Sequence, residues 1–411
     1  MSDGARAAAT SAGEAAAAVA RDSYGRLVAY LAARSHDIAG AEDALGDAFA
    51  AALRHWPDDG VPESPEAWLL TTARRRLHDR WRHGQVEAAA EATLALVSGE
   101  LAAGAEPEFP DERLKLMFVC AHPAVDPAAR AALMLQTVLG LDAARIASAF
   151  LVAPATLSQR LVRAKTKIRA AAIAFEVPGA SEWTGRLGDV LEAIYAAYGT
   201  GWDDVVGTDP AKSGLAEEAL TLAALLARLL PDAAEAWGLL ALLAFCQSRG
   251  RARRDAHGDY VPLDAQDTAL WDAPLRALAE AALRKASALA APGAFQLEAA
   301  IQSAHTQRCL GADVPALAIL GLYDALVALQ PTIGARVSRA CALAAAHGPA
   351  AGLGALAALA AETVDTYQPY WAALAHLAAA AGDGERARVA RERAVGLSSD
   401  PAVRRFLLRA G

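Results

Sequence analysis

Basic side chains cluster in two stretches of the sequence, and both clusters have the chemistry of nucleic-acid binding. Residues 65–82 hold five arginines within their last nine positions, and residues 155–169 hold five basic residues and no acid. Guanidinium and ammonium groups pair with phosphates, polar side chains read base edges, and rings stack on unpaired bases. The candidate residues of the first stretch are Trp68, Arg74, Arg75, Arg76, His78, Arg80 and Arg82. Those of the second stretch are Thr156, Ser158, Gln159, Arg160, Arg163 and Lys167.

The second stretch is predicted to be a helix that follows a short helix and a tight turn. Pro154 suits the first turn of a helix, where its missing N–H costs nothing. An apolar stripe at helical spacing marks the buried side, and it consists of Leu157, Leu161, Ala164 and Ile168. Two short helices around a turn, the second basic on its outer face, form the helix-turn-helix arrangement that enters the major groove. A solvated helix of an ordinary helical domain is the alternative.

The first stretch is predicted to be a helix capped by Ser64, with Pro65 in its first turn. Its inward positions are Leu70, Ala73, Leu77 and Trp81, and Trp68 and His78 lie off that stripe. Arginines interleaved with aromatic rings suit a strand whose bases are unstacked. RNA or an acidic protein would fit the same helix.

A third helix, over residues 41–56, carries an acidic face. Asp43 and Asp47 are like charges one turn apart, with Gly46 between them, and both features weaken an isolated helix. Such a face suits presentation to a basic partner, and an ordinary solvated face fits equally well. Leu45, Phe49, Ala52 and Trp56 form the apolar side.

Composition predicts a nearly all-α chain of two to four domains. The 411 residues are 55% hydrophobic, mostly alanine and leucine, and only 6% aromatic. The net charge of −8 argues against a chain coated in nucleic acid but allows local basic faces. Four scattered cysteines predict buried thiols in a reducing cytoplasm and no metal site. Residues 1–22 are expected to be a frayed alanine-rich tail, and residues 84–112 an acidic linker.

The order of these parts resembles a known protein family. The stretches AEDALGDAFAAALRHW, SPEAWLLTTARRRLHDRWR and LDAARIASAFLVAPATLSQRLVRAKTKIR resemble regions 2 and 4 of the extracytoplasmic-function sigma factors, which direct bacterial RNA polymerase to promoters. The resemblance implies region 2 over residues 23–83 and region 4 over residues 113–177. It also implies an all-α fold and two partners, promoter DNA and core RNA polymerase through its β′ clamp and β flap.

By this resemblance each candidate cluster has a role. The segment that docks on the β′ clamp contains Glu42, Asp43, Asp47 and Phe49. The helix at residues 68–82 would recognise and melt the −10 element, and residues 156–167 would read the −35 element as duplex DNA. The linker would thread the active-site cleft and RNA exit path of the polymerase.

The remaining residues, 181–411, are predicted to form a helical domain similar to tetratricopeptide repeats. The signature spacing is met by Trp371, Leu374, Ala375, Ala387 and Ala394, and its opening recurs at Trp237, Leu240 and Ala241. The tail resembles that of one sigma-factor subgroup but departs from it at residues 196–199. It would be regulatory, bind a protein partner or contact the polymerase, and an unrelated α-bundle is the alternative.

An insert at residues 249–272 separates the predicted repeats. Four arginines precede Asp264, Asp267 and Asp272, so the insert is expected to be held by ion pairs within itself, and free arginines that bind an acidic partner are the alternative.

Signatures of enzymes are missing from the sequence, including GxGxxG, Walker, HExxH and GxSxG motifs. We therefore predict no catalytic residue, no metal, no cofactor and no membrane span. A conventional helix-turn-helix regulator with a ligand- or protein-binding helical tail is the competing function. Such a regulator binds its operator alone, whereas a sigma factor needs core polymerase.

Overall fold

The computed structural model describes residues 3–35, 37–84, 111–150, 152–170, 179–202 and 214–409. These residues form 19 α-helices, three 3-10 turns and no β-strand, so the predicted all-α fold is confirmed. They divide into two compact units, Met1–Leu229 and Leu230–Gly411. The predicted linker at 84–112 lies almost entirely outside the described residues. None of the helices in the described ranges is long and apolar enough to span a bilayer.

The first unit contains nine helices in its described part. They are α1 (Asp3–Ser35), α2 (Ile38–Asp59), α3 (Pro65–Gly84), α4 (Glu112–Cys120), α5 (Pro127–Leu139), α6 (Ala143–Ala149), α7 (Pro154–Ala170), α8 (Ala180–Trp202) and α9 (Leu215–Leu229). Aspartates cap four of them by accepting a backbone N–H of the first turn. These caps are Asp37 on α2, Asp111 on α4, Asp126 on α5 and Asp142 on α6.

Helices α1, α2 and α3 pack on one another. The buried face of α3 is centred on Leu69 and Ala73, whereas the predicted inward residues Leu70 and Leu77 are half-buried. The prediction was therefore correct for Ala73, whereas Leu69 is buried in place of Leu70. The frayed tail was also wrong, because α1 is helical from Asp3 onward and buries Ala12 among its alanines. Alanine has the highest helix propensity, so an alanine-rich segment with one packed face becomes helix.

Helices α8 and α9 pack with α4 and α5 and belong to the first compact unit. The ring of Trp183 on α8 lies 6.0 Å from the ring of Phe118 on α4. Arg186 donates to the Phe118 carbonyl, and Arg130 pairs with Asp189 at 2.9 Å. The division between units therefore falls after Leu229, whereas the sequence predicted a boundary before residue 181. The difference arises because aromatic and charged side chains of α8 contact α4 and α5, and these contacts between distant segments are not visible in the sequence.

The second unit is an array of antiparallel helices. They are α10 (Ala234–Ser248), α11 (Ala273–Ala288), α12 (Ala294–Cys309), α13 (Ala316–Leu329), α14 (Ile333–His347), α15 (Pro349–Ala357), α16 (Ala361–Val364), α17 (Gln368–Ala380), α18 (Gly384–Leu397) and α19 (Pro401–Arg409). Helix α10 packs against both α11 and α12. A Cβ atom at Gly238 would lie 2.6 Å from the Gln296 nitrogen, so glycine permits the close crossing of α10 and α12.

Two tryptophans occupy equivalent places in this array. The indole N–H of Trp237 donates to the carbonyl of Pro231, and that of Trp371 donates to the carbonyl of Asp365, in each case six residues upstream. A cation from the following helix lies over each ring, Lys285 at 4.0 Å and Arg393 at 6.0 Å. The same local structure therefore occurs twice, with the insert between Trp237 and its cation.

The insert joins the beginning of the second unit to its end. Arg254 pairs with Asp400, and Asp259 accepts from Arg405 and Arg409 at 2.5 and 2.7 Å. The Tyr260 ring lies 5.3 Å from the Phe406 ring. We call this set the clasp, and it consists of Arg254, Asp259, Tyr260, Asp400, Arg405, Phe406 and Arg409.

The clasp differs from the predicted ion pairs within the insert. Asp264 pairs with Arg308 of α12 at 3.7 Å. Asp267 and Asp272 accept backbone N–H groups and cap the helical turns that follow them. The carboxylates of Asp267 and Asp272 thus bind neighbouring backbone amides. Arg254 pairs instead with Asp400, near the end of the unit.

Candidate nucleic-acid interface

Helix α7 presents a basic and polar face above a buried apolar stripe. Leu157, Leu161, Ala164 and Ile168 are buried, so the predicted stripe is confirmed. Helices α5 and α6 pack against α7, and the Val152 amide donates to the Ala147 carbonyl across the turn. The opposite face exposes Thr156, Ser158, Gln159, Arg163 and Lys167, with Arg160 half-buried at its edge.

The sequence reasoning missed Val162 on this face. Its side chain is 65% exposed, although valine is usually buried. A large apolar side chain among exposed polar and basic ones is able to contact a thymine methyl group in the major groove. The signal in the sequence was its position next to Arg163 and off the buried stripe.

Helix α3 exposes Arg74, Arg75, Arg76 and His78, whereas Ala73 is buried. Trp68 does not lie off the packed surface as predicted. It is half-buried, with its ring 5.5 Å from that of Trp56 in an edge-on arrangement. Trp68 therefore fixes α3 on α2. The side chains of Arg80 and Arg82 lie outside the described residues.

The four predicted polymerase-binding residues on α2 do not share one open surface. Asp43 and Asp47 are exposed, as expected. The ring of Phe49 is half-buried and stacks on Tyr24 of α1 at 6.4 Å. The Glu42 side chain is only 9% exposed, and its carboxylate lies 2.8 Å from the ammonium of Lys165 on α7.

Helix α1 also approaches α5 very closely. A Cβ atom at Gly25 would overlap the Val138 carbonyl oxygen, at 1.5 Å. Gly140 ends α5 with a φ of +66°, and a Cβ there would lie 3.1 Å from Tyr24. We call this contact the seam, and it consists of Tyr24, Gly25, Glu42, Val138, Gly140 and Lys165. Burial, reinforced by Glu42 and Asp43, raises the pKa of the Tyr24 hydroxyl.

Helix α9 adds charged contacts to the same unit. Arg113 of α4 pairs with Asp111 at 2.7 Å and also with Glu218 of α9. Burial raises the pKa of Glu218, although Arg113 opposes that shift. The pKa of Asp111 is lowered: burial raises it, but the hydrogen bond and charge of Arg113 outweigh that effect.

Within the described ranges, no three His, Cys, Asp or Glu side chains are grouped in a way that could hold a metal. The four cysteines are all free thiols.

Comparison with known proteins places this geometry in a family. The model of sigma-70 region 2 matches residues 20–86, which include the described parts of α2 and α3. An uncharacterized protein of Rhizobium meliloti (strain 1021), R00370, is 35% identical over 389 residues, covering 93% of this chain and 91% of that protein. The chain therefore belongs to one family with this uncharacterized protein and contains a sigma-70 region 2. A family of unknown function, DUF6596, matches residues 186–287. No solved structure matches the chain.

The match to sigma-70 region 2 bears on two of the exposed faces. Sigma-70 region 2 belongs to transcription initiation factors and implies interaction with core RNA polymerase and promoter DNA. Two of the faces described above, on α2 and α3, lie within the matched region. The face of α7 lies outside it.

Proposed function

We propose that the chain is an extracytoplasmic-function type of sigma factor that directs RNA polymerase to specific promoters. In this proposal α3 recognises the −10 element, α7 reads the −35 element, and α2 docks on the β′ clamp. The observation that carries the proposal is the face of α7, which joins exposed basic residues to polar residues able to read bases, in the same chain as a sigma-70 region 2.

Helix α7 supplies both kinds of contact that duplex recognition needs. Arg160, Arg163 and Lys167 would pair with phosphates or with guanine, whereas Thr156, Ser158 and Gln159 would read base edges. Helices α6 and α7 with their turn would form the helix-turn-helix of region 4, which would also bind the β flap. Val162 would add apolar contact to thymine.

Helix α3 would act on the −10 element mainly through charge. Arg74, Arg75 and Arg76 are exposed and would hold the phosphates of the melted strand, with His78 beside them. The sequence prediction also assigns Arg80 and Arg82 to this contact. Trp68 would position the helix through Trp56 rather than stack on a base.

The second unit would carry regulation. Its antiparallel helices and its two equivalent tryptophans support a tetratricopeptide-like array, which would bind a segment of a protein partner. Because sigma factors work with polymerase on the chromosome, the proposed location is the cytoplasm, and the function requires no cofactor.

Transcription in vitro tests the proposal. The chain with core polymerase and a genomic fragment library should give discrete start sites, and core polymerase alone should not. Replacing Arg160, Arg163 and Lys167 together by Ala should abolish initiation, since each base-reading contact is worth about 1–3 kcal/mol. The matched control replaces Arg336, Arg386 and Arg388, three exposed arginines of α14 and α18, and should leave initiation unchanged.

Two outcomes would contradict this assignment of α7. Unchanged start sites in the α7 variant would make the helix an ordinary surface. Specific DNA binding by the chain alone, with no gain from core polymerase, would favour the helix-turn-helix regulator instead.

Assembly is tested separately on α2. Asp43→Arg with Asp47→Arg should abolish binding to core polymerase, because both exposed carboxylates would become like charges toward a basic surface. Asp58→Arg with Asp59→Arg makes the same charge change at the end of the same helix and should bind normally. Equal binding by the two double variants would remove α2 from the interface.

A further inference from the structure

Arg249 of the second unit is a buried cation without a carboxylate partner. It directly follows the last residue of α10, and only 9% of its surface is exposed. Its Nη2 atom donates to the Gln302 amide oxygen at 2.7 Å and lies 3.8 Å from the Cys246 sulfur. Its Nε atom is buried without a hydrogen-bond partner. Among the described residues, therefore, nothing that Arg249 touches balances its charge.

Four other arginines with largely buried side chains show what such a charge normally requires. Each of them has a carboxylate within hydrogen-bonding distance. These pairs are Arg113 with Asp111, Arg130 with Asp189, Arg186 with Glu182 and Arg254 with Asp400. A buried charge without such a partner is strongly destabilising. Arg249 thus lacks a counter-ion that the chain itself supplies to these four.

The end of α10 does not replace that counter-ion. The C-terminus of a helix carries a partial negative charge on its last carbonyls. The hydrogen bond of the Arg249 guanidinium to oxygen goes to the Gln302 side chain on α12, not to a carbonyl of α10. The charge therefore points toward α12.

Helix α12 adds further donors next to Gln302. Arg308 donates to the Nδ1 atom of His305 at 3.2 Å, so the neutral imidazole carries its proton on Nε2. Burial lowers the pKa of His305, and Arg308 and Arg249 add to that shift while Asp264 opposes it. His305 is therefore a neutral N–H donor that lies in the field of two guanidinium groups.

Positive charge is in excess around this cluster. The guanidiniums whose charge acts on the Cys246 and Cys309 thiols outnumber the carboxylates that do so. The guanidiniums are Arg249, Arg253 and Arg308, and the carboxylates are Glu298 and Asp264. The pair between Arg308 and Asp264 is loose, at 3.7 Å, and the Asp264 side chain is 80% exposed. One more negative charge would balance the cluster.

We propose that Arg249, Gln302, His305 and Arg308 form a binding site for an oxyanion of a small molecule, either a carboxylate or a phosphate. We call these four residues the anion site. A guanidinium matches two oxygens of either group. The Nη1 atom of Arg249 donates to no described residue and, unlike Nε, is not buried, so it is open to a ligand. The Arg308 side chain is 38% exposed and gives the ligand access from solvent.

Hydrogen exchange of the full-length chain tests the anion site. The chain is first dialysed into a chloride buffer, and sodium phosphate or sodium succinate then replaces chloride at constant ionic strength. A bound ligand stabilises the folded state by mass action, so at about ten times its Kd exchange in α10 and α12 should slow about 10-fold. Exchange in α2, which belongs to the first unit, should change little.

Variants separate specific binding from a general effect of salt. Phosphate stabilises folded proteins because it is excluded from their surfaces, so variants are compared with the native chain at the same concentration. Arg249→Gln should show no such slowing, and Arg308→Gln should need several-fold more anion. Arg336→Gln changes an exposed arginine of α14 in the same way and should respond like the native chain.

Each outcome decides for or against the anion site. Slowing by phosphate alone would identify a phosphate ligand, and slowing by succinate alone a carboxylate. No slowing by either anion, or equal slowing in the native chain and Arg249→Gln, would overturn the inference. If Arg249→Gln does not fold, a native response of Arg308→Gln would overturn it instead. Polymerase takes no part in these measurements, so the proposed function stands or fails independently of them.

Discussion

The seam and the clasp both join residues that are far apart in the sequence, but they are built differently. The seam combines one ion pair with close packing of α1 against α5 at two glycines, Gly25 and Gly140. The clasp combines ion pairs from Arg254, Arg405 and Arg409 with an aromatic contact between Tyr260 and Phe406. The seam therefore has one charged contact and a glycine-dependent backbone approach, whereas the clasp has several charged contacts and an aromatic one. The comparison predicts that the seam is most sensitive to added volume at its glycines and that the clasp is most sensitive to loss of charge.

The largest expected effect comes from forcing the seam apart. Gly25→Val puts a side chain onto the Val138 carbonyl, and overpacking of this kind costs up to about 3 kcal/mol. Alkylation of the buried Cys120 thiol in the native chain should accelerate by about 100-fold, the rate equivalent of that energy. Gly13→Val lies on the same helix with nothing within 4 Å and should not change the rate. Equal rates in the two variants would show that the seam does not bury Cys120.

The next effect concerns the clasp. Asp400→Asn keeps the cap on α19 but leaves the Arg254 guanidinium, only 12% exposed, without its charged partner. We expect the second unit to lose about 2 kcal/mol of stability, seen as faster native-state hydrogen exchange in α10 and α19. Glu385→Gln removes a charge from an exposed pair with Arg388 and should have no measurable effect. Faster exchange confined to α19 would mean that the clasp does not stabilise α10.

A smaller effect distinguishes the two units by pH. The pKa of Asp259 is lowered mainly by its hydrogen bond from Arg405. The pKa of Asp400 is lowered too, since Arg254 and two backbone amides outweigh the opposite effect of burial. Carboxyls with lowered pKa values stabilise the fold above their unfolded pKa and lose that contribution as pH falls through the folded one.

Hydrogen exchange, corrected for its intrinsic pH dependence, should therefore show the insert and α19 loosening below about pH 4. Around Arg113 in the first unit, the pKa of Asp111 is lowered and that of Glu218 is raised, so their contributions oppose each other. Exchange in α4 and α9 should change less over the same range. The reverse order would contradict the role given to the clasp.

The smallest effect is expected inside the repeats. Lys285→Ala removes the cation over Trp237 and should cost about 0.5 kcal/mol, measured as a shift in the urea midpoint of the second unit. Trp237→Ala should cost far more, because it also removes a half-buried ring and its hydrogen bond to Pro231. Comparable losses would show that the ring contributes little beyond the cation.

Local periodicity explains what the sequence could predict. The stripe from Leu157 to Ile168 and the proline at the start of α7 follow from neighbours three and four residues apart, and both were correct. The exposure of Asp43 and Asp47 follows from the same reasoning. The roles assigned to these faces in binding DNA and polymerase remain predictions.

The sequence could not predict the contacts between residues that are far apart along the chain. Glu42 reads as part of a solvated acidic face, and nothing near it in the sequence identifies Lys165 as its partner. The arginine at 254 has acids close by in the insert, yet those carboxylates are used as caps or by Arg308. From the sequence alone, Gly25 indicates only a lower helix propensity. Its role as the site where α5 crosses α1 depends on the position of α5.

The clasp also sets an order of events during synthesis. Arg254 and Asp400 are 146 residues apart, so at about 5–20 residues per second the ribosome needs roughly 7–30 s to supply the partner. Until then, α10 must be held by its neighbours α11 and α12, whose contacts are closer in the sequence. The second unit is therefore expected to fold from its early helix pairs during synthesis. The contacts of the insert with α19 should form last.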